Sequence, residues 1–413
     1  MSSSKIIYIS YDGMTDPLGQ SQVLPYLIGL SSYNYEIHLI SFEKEERFLS
    51  RKNDVEKIIF NTNITWHPLK YHHKPPVLST LYDIWNLNKK VNEITKQKQI
   101  SIIHCRSYIS SLIGLSTKRK KNIPFLFDMR GFWADERVDG NIWNLKNPIF
   151  NLIYRYFKNK EKQFIKECDY IISLTENAKH EIQRWKLSSK NEYNIQVIPC
   201  CADFDHFNLN KINSDQQTKL RHNLGFTEND FIISYVGSLG TWYMIDEMMD
   251  LFKIALSKLP TSKFLILTTD LPQIAFDTAK KAGIDINKII VKRAERNEVP
   301  SLIALCQFSV FFIKPSYSKK ASSPTKLAEI LGMGVPVLCN GNVGDVQEIV
   351  ENGNVGVVIN DFNAEVFNNA IDTILSKIPV DKYQISAYAK KYASLEDGIG
   401  KYHHVYQKIA KVY

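Results

Sequence analysis

The chain predicts an α/β protein of two domains, each a parallel sheet covered by helices. Three observations predict it. Short apolar runs recur along the sequence and alternate with stretches of helical spacing, the pattern of repeated βα units. That pattern pauses in polar sequence at about residues 204–227 and starts afresh at residues 231–236. At 413 residues the chain exceeds one ordinary core, so two domains of roughly 200 residues each are expected.

In the first domain, apolar runs at residues 5–10, 36–42, 100–105, 124–128, 170–174 and 195–198 read as buried strands. The segment from Tyr11 to Gln22 is a polar loop with glycines, but it lacks G-x-G-x-x-G, so a dinucleotide fingerprint is not supported. Val23, Leu24, Leu27 and Leu30 then recur at helical spacing. After the strand at 124–128 comes Met129-Arg130-Gly131-Phe132-Trp133-Ala134-Asp135-Glu136-Arg137, rich in charge and read as a loop. Ligands of parallel sheets bind beyond the carboxyl ends of strands, which makes Asp128 to Arg137 a site candidate; a surface ion-pair network is the alternative. Residues 147–166 interleave aromatic and aliphatic side chains with Arg155, Lys158, Lys160, Lys162 and Lys166. Such a helix either packs on a core or lies in a membrane interface. Near the end of this domain Asp203 and Asp205 admit a Mg²⁺ reading, but their context is a linker and no further carboxylate converges in sequence, so no metal is expected.

In the second domain, strands are expected at 231–236, 264–268, 289–291, 308–313, 336–339 and 355–359. The first runs into Gly237-Ser238-Leu239-Gly240-Thr241-Trp242-Tyr243, a turn whose backbone N–H groups can cradle phosphate. A second anion site is expected at 319–338. Here Ser322 or Ser323 reads as N-cap and Pro324 as the first helical residue, with Lys326 in the first turn and Gly332 and Gly334 as the stop. The chemistry should lie in a cleft between the two domains.

Charge is distributed unevenly. Residues 1–200 hold 29 Lys and Arg against 20 Asp and Glu, whereas residues 201–413 hold 23 of each. A basic first half attracts an anionic partner, and Lys118-Arg119-Lys120-Lys121 with His72-His73-Lys74 extend the membrane-surface reading. The basic residues form no recognised nucleic-acid module, so no nucleic acid is expected. The six cysteines have no zinc-ligand spacing and read as core thiols of a reducing compartment. With no signal peptide and no spanning apolar run in the sequence, a cytoplasmic protein is expected, peripheral on the inner face of the membrane if the basic surface is used.

Taken together and in order, Asp12 to Gln22, Asp128 to Glu136, Val197-Ile198-Pro199 with Asp205 and Phe207, Gly237 to Tyr243 and Ser322 to Val337 resemble the retaining glycosyltransferases of family 4. The resemblance covers essentially the whole chain and implies the GT-B fold: two Rossmann-like domains facing across a cleft. It divides the chain into residues 1–203 for the acceptor, 204–390 for a nucleotide-sugar, and 391–413 as a helix returning to the first domain. It implies no metal and no cofactor, the nucleotide-sugar being a substrate. The acceptor it implies is a glycan or a lipid-linked molecule, in cell-surface polysaccharide or glycolipid synthesis.

Roles carried across by the resemblance fall on named positions. Glu329 matches the second acid of Glu-x7-Glu, which in relatives holds the donor ribose, while the first acid is replaced by Ala321. Ser322, Ser323 and Thr325 are the candidates to take over its sugar contact. The Arg and Lys that relatives place on the diphosphate are Ser238 and Tyr243 here, which leaves Lys326, with Arg293 and Lys314, as replacements. Gly237, Gly240 and Thr241 complete the donor set. On the acceptor side stand Gly19, Gln20, Asp128, Trp133, Asp135 and Glu136, with Arg130 at the position of a family His. Arg130, Lys326 and Glu329 are the expected catalytic residues. Two alternatives remain open: a non-catalytic nucleotide-sugar-binding protein or partner subunit, favoured by the lost charges, and an epimerase or hydrolase of the same fold.

Overall fold

A computed structural model describes residues 4–187, 193–379 and 381–410. The chain divides into two compact units, the first running to Pro199 and taking up the segment from Leu395, the second spanning Cys200–Ser394. The break falls a few residues before the expected 203, and the segment rejoining the first unit starts at Leu395 rather than 391. Residues 411–413 of that segment lie outside the described residues.

The first unit holds a seven-stranded sheet in the order β3-β2-β1-β4-β5-β6-β7, with every neighbouring pair parallel. The strands are β1 Ser4–Ser10, β2 Tyr35–Glu43, β3 Ile64–Lys70, β4 Ile102–Arg106, β5 Phe125–Asp128, β6 Tyr170–Ser173 and β7 Ile195–Val197. Six were expected from their apolar runs; β3 was not, because Thr65, His67 and Pro68 break its pattern. It lies at the sheet edge, where a proline costs no ladder bond. Helix Ser107–Lys121 packs between Leu78–Gln97 and Pro148–Glu167, while Leu24–Ser31 packs with Leu395–Ala410. At that second contact Gly29 leaves room for Ile399, whose Cγ1 would be 2.9 Å from any Cβ added there.

Two segments read as loops contain helix: Pro17–Gln22 and Trp133–Asp139. Each is under two full turns, too short for periodicity to register. The first is positioned by Glu43, 3 % exposed at the end of β2. Its carboxylate accepts the Met14 N–H at 2.7 Å, the Thr15 N–H at 3.1 Å, the Thr15 hydroxyl at 2.6 Å and the Ser41 hydroxyl at 2.5 Å. Gly13 fits against Glu43 because it has no Cβ, which would stand 2.7 Å from Oε2.

The second unit holds a six-stranded parallel sheet in the order β10-β9-β8-β11-β12-β13. Its strands are β8 Phe231–Val236, β9 Ser262–Leu267, β10 Ile289–Lys292, β11 Phe308–Phe311, β12 Val337–Asn340 and β13 Gly356–Ile359. Apolar side chains on both sheet faces are sealed from water, among them Phe252, Phe264 and Phe308. Asp203 forms a turn: its Oδ1 accepts the N–H of Asp205 at 3.0 Å and of His206 at 3.2 Å. The six cysteines are all free thiols, and five of them are buried.

Replacing Glu43 by Gln puts an amide N–H₂ among four donors and removes charge-assisted bonds. The variant is expected to lose about 2–4 kcal/mol of stability, read from urea unfolding.

Candidate functional site

In the second sheet β8 connects outward to β9 on one side, and its other neighbour is β11. Open α/β sheets bind ligands at such a reversal, beyond the carboxyl ends of the strands. Both anion-site stretches lie there: the Gly237 turn leaves β8, and the segment from Phe312 to Thr325 leaves β11. They are stitched together by the Tyr243–Ile313 bridge, by Met244 N–H to Phe312 O at 3.1 Å and by Lys314 N–H to Trp242 O at 2.8 Å. The turn itself is pinned by Leu239 N–H donating to Asp270 Oδ2 at 2.6 Å and by the Tyr235 hydroxyl donating to Ser238 O at 2.5 Å.

The helix after β11 is Thr325–Gly332, one residue shorter at its start than expected. Pro324 is its N-cap, in extended conformation, and no side chain caps it. Ser323 does not cap because its Oγ accepts the Cys200 N–H at 3.1 Å. The stop is as expected: Gly334 has φ +66° and its N–H returns to Leu331 O at 2.9 Å.

Lys326, in the first turn, points back to the β8 turn. Its Nζ lies 3.7 Å from the Tyr243 ring centre and 4.5 Å from that of Tyr235, and 3.4 Å from the Tyr235 hydroxyl. It is 7 % exposed, and no carboxylate pairs with it among the described residues. Burial therefore pushes its pKa well below the usual lysine value, with Glu329 acting weakly against this. Gly237, at φ +145°, makes room: a Cβ there would strike the Lys326 ammonium and stand 2.9 Å from the Tyr235 hydroxyl. A second buried lysine, Lys319, sits 3.6 Å over the Trp242 ring. Ring faces attract the Lys326 ammonium but do not neutralise it.

Glu329, one turn on, is half-buried. Desolvation pushes its carboxyl up to about 7, against the charges of Arg296 and Lys326. The arginine acting on Glu329 is Arg296, which like the diphosphate candidates Arg293 and Lys314 lies exposed on the surface. Ala321 is 2 % exposed, so an apolar methyl fills the position of the family's first acid. Ser322 and Thr325 are half-buried at the helix approach, and Gly240 and Thr241 lie exposed in the turn.

In the first sheet the reversal falls between β1 and β4. Register aligns Ser41, Ser10, Arg106 and Asp128 in one row across the carboxyl ends of β2, β1, β4 and β5. Asp128, 1 % exposed, accepts the Tyr402 hydroxyl at 3.0 Å and lies 3.4 Å from His104 Nε2 and 3.9 Å from Arg130. Burial alone would raise its pKa, but Arg130, His104 and Arg106 together hold it below the usual carboxylate value. His104 in turn meets the Tyr406 hydroxyl at 2.7 Å, and burial lowers its pKa, with Asp128 acting against this. Arg130 adopts φ +56°, a left-handed conformation that costs about 1–2 kcal/mol in a non-glycine residue, and its side chain is 9 % exposed.

Of the other acceptor-side candidates, Gly19 is buried against Met14, whose Cα would be 2.7 Å from any added Cβ, and Gln20 is half-buried beside it. Trp133 stacks on Tyr108 with ring centres 5.7 Å apart and meets Phe157 edge-on at 4.9 Å. Asp135 accepts the Tyr154 hydroxyl at 2.9 Å and Lys158 at 2.8 Å. These two side chains are therefore occupied in packing, while Glu136 is half-buried on the same helix. Residues that sequence reasoning missed are Glu43, Arg106, Tyr235 and Arg296; none stands in a motif, and each is brought to its place by strand order.

Two family models match: Glycosyltransferase Family 4 over residues 27–206 and Glycosyl transferases group 1 over residues 216–392. Alpha-monoglucosyldiacylglycerol synthase of Acholeplasma laidlawii is 22 % identical over 222 residues, and the match spans about half of that relative, 52 %, and 51 % of this chain. A glycosyltransferase from Rickettsia africae has the same architecture, with TM-score 0.70 and 18 % identity over the full length of both chains. HepE of Anabaena, solved with UDP and glucose, gives TM-score 0.70 and 15 % identity, covering 98 % of this chain and 100 % of that one.

If Glu329 accepts hydroxyls from the donor ribose, it does so best when ionised. The ratio of nucleotide affinity between the native protein and Glu329→Gln is expected to grow between pH 6 and pH 8, around the Glu329 value of about 7. Titration calorimetry at both ends reads it; a pH-independent ratio removes Glu329 from that role.

The two parallel sheets have the GT-B architecture of these neighbours, and the chain belongs to the family 4, group 1 glycosyltransferases.

Proposed function

We propose that this protein is an active, metal-independent, retaining glycosyltransferase, taking a hexose or related sugar from a nucleotide-sugar held by the second unit. The observation that carries the reading is Lys326, a buried ammonium without an acid partner, beside the Gly237 turn and on an uncapped helix N-terminus. Glycosyl transfer builds negative charge on the departing diphosphate, and a fixed cation with backbone N–H groups lowers that barrier. Lys326 supplies the charge that Ser238 and Tyr243 lack, Tyr235 and Tyr243 hold it in place, and Glu329 faces the ribose. Among the described residues the first unit offers Arg130, Asp128, Gly19 and Gln20 to a glycan or lipid-linked acceptor, in cell-surface polysaccharide or glycolipid synthesis.

Loss of Lys326 removes one charge-assisted contact, about 1.5–3 kcal/mol. Lys326→Ala is expected to slow turnover by one to two orders of magnitude, at about 1.4 kcal/mol per decade. A thermal-shift screen of UDP-, GDP- and ADP-sugars selects the donor, since a ligand at 100 times its Kd stabilises by about 2.7 kcal/mol. Undiminished transfer by the folded variant removes the assignment. The apolar Ala321 favours one other reading, a nucleotide-sugar-binding subunit without turnover, which binding without product across an acceptor panel would support.

The proposal includes a cytoplasmic protein working at an anionic membrane. No helix of the described residues is long and apolar enough to cross a membrane. Instead, the first unit exposes Leu78, Leu81, Tyr82 and Trp85 along one stripe of helix Leu78–Gln97, and Ile149, Leu152 and Tyr156 along helix Pro148–Glu167. Both stripes start near the carboxyl ends of the strands. Residues 71–91 and 141–160 carry seven Lys and Arg and one acid, Asp83, which is fully buried. Of these cations Lys90 pairs with Glu93 and Lys158 with Asp135 and Glu161, as Lys118 and Arg119 pair with Asp169 and Glu167. Trp, Tyr and Leu with flanking cations suit the interface of an anionic bilayer, at about 1 kcal/mol per basic residue. Leu81→Ser/Trp85→Ser is expected to cut sedimentation with phosphatidylglycerol vesicles at least tenfold. Equal sedimentation of the two proteins, or none of either, overturns this.

A further inference from the structure

Arg106 ends β4 in the row Ser10–Arg106–Asp128 and is 4 % exposed. Its Nε is sealed from solvent and makes no hydrogen bond, and no acid lies within ion-pair range of it among the described residues. Asp128, its neighbour in the row, is taken by Tyr402, His104 and Arg130. Two guanidiniums, Arg106 and Arg130, thus act on Asp128. Arg130 adds backbone strain to the same corner, at φ +56°. A buried unpaired cation destabilises a fold and persists where a ligand completes it. The position is the β1/β4 reversal, the ligand end of this sheet.

We infer that Arg106, with Arg130 beside it, seats an oxyanion carried by the acceptor, a phosphate or a carboxylate. The inference rests on the acceptor half of the proposed function and names its substrate class. A guanidinium is the side chain that grips either anion through two parallel N–H bonds. Donor binding by Lys326 is separate from it.

Thermal unfolding of the full chain at equal ionic strength in sodium chloride, acetate and phosphate tests the inference. Lys326→Ala serves as the background, so that anions at the donor site do not contribute. In that background phosphate or acetate is expected to raise Tm by about 2–4 °C over chloride, an ordinary shift for about 1 kcal/mol in a unit of this size. Phosphate alone or acetate alone giving the rise identifies which anion is meant. Adding Arg106→Met abolishes the rise, and Arg106→Lys, which keeps the charge but not the fork, retains part of it. A rise that disappears with Lys326→Ala alone overturns the inference while leaving the donor site intact. A rise that survives Arg106→Met, or, should that variant not fold, is undiminished in Arg106→Lys, overturns it as well.

Discussion

Parallel pairing obliges every strand of a sheet to finish at the same edge, and the chemistry of this protein follows from that. Each crossover leaves the sheet at the carboxyl edge and returns at the other, so loops far apart in sequence emerge side by side. In the second unit this sets the Gly237 turn against the helix at Thr325, some ninety residues later. In the first it lines up Ser10, Arg106 and Asp128. The loops need no affinity for one another; strand order alone delivers them. What the side chains then add is exclusion of water, by Tyr235 and Tyr243 in one unit and by Tyr402 and Tyr406 in the other.

The two sites treat charge differently. Around Asp128 the acid is matched by an arginine, a histidine and a phenol, a network in which the carboxylate stays ionised. Around Lys326 the cation meets, among the described residues, aromatic faces and one hydroxyl, with Glu329 acting weakly on it and itself driven toward its neutral form. The first arrangement pairs Asp128 and leaves Arg106 without an ion pair among the described residues. The second leaves Lys326 without a paired carboxylate among the described residues.

Twelve of the thirteen strands were legible in the sequence because buried parallel strands are short unbroken apolar runs. The exception, β3, lies at an edge and carries Thr65, His67 and Pro68, which read as loop. The short helices Pro17–Gln22 and Trp133–Asp139 were hidden for want of turns. Lys326 and the Gly237 turn could be found because cap, glycine and lysine are local signals. Arg106, Glu43 and Arg296 could not: a lone charge at the end of an apolar run says nothing about what lies across the sheet from it. Ser323 shows the reverse error, a residue with the right type for a cap but spent on the Cys200 amide.

Tyr402 and Tyr406, which close the corner around Asp128 and His104, come from the helix Leu395–Ala410, after the whole of the second unit. On the ribosome the first sheet is finished long before these two phenols exist. At about 5–20 residues per second, roughly 10–40 s separate them. For that interval Asp128 and His104 have no hydroxyl partners from the last helix, and the face that it will cover stands open. The nascent first unit thus keeps this face open while the second is made, and the corner around Asp128 is completed last.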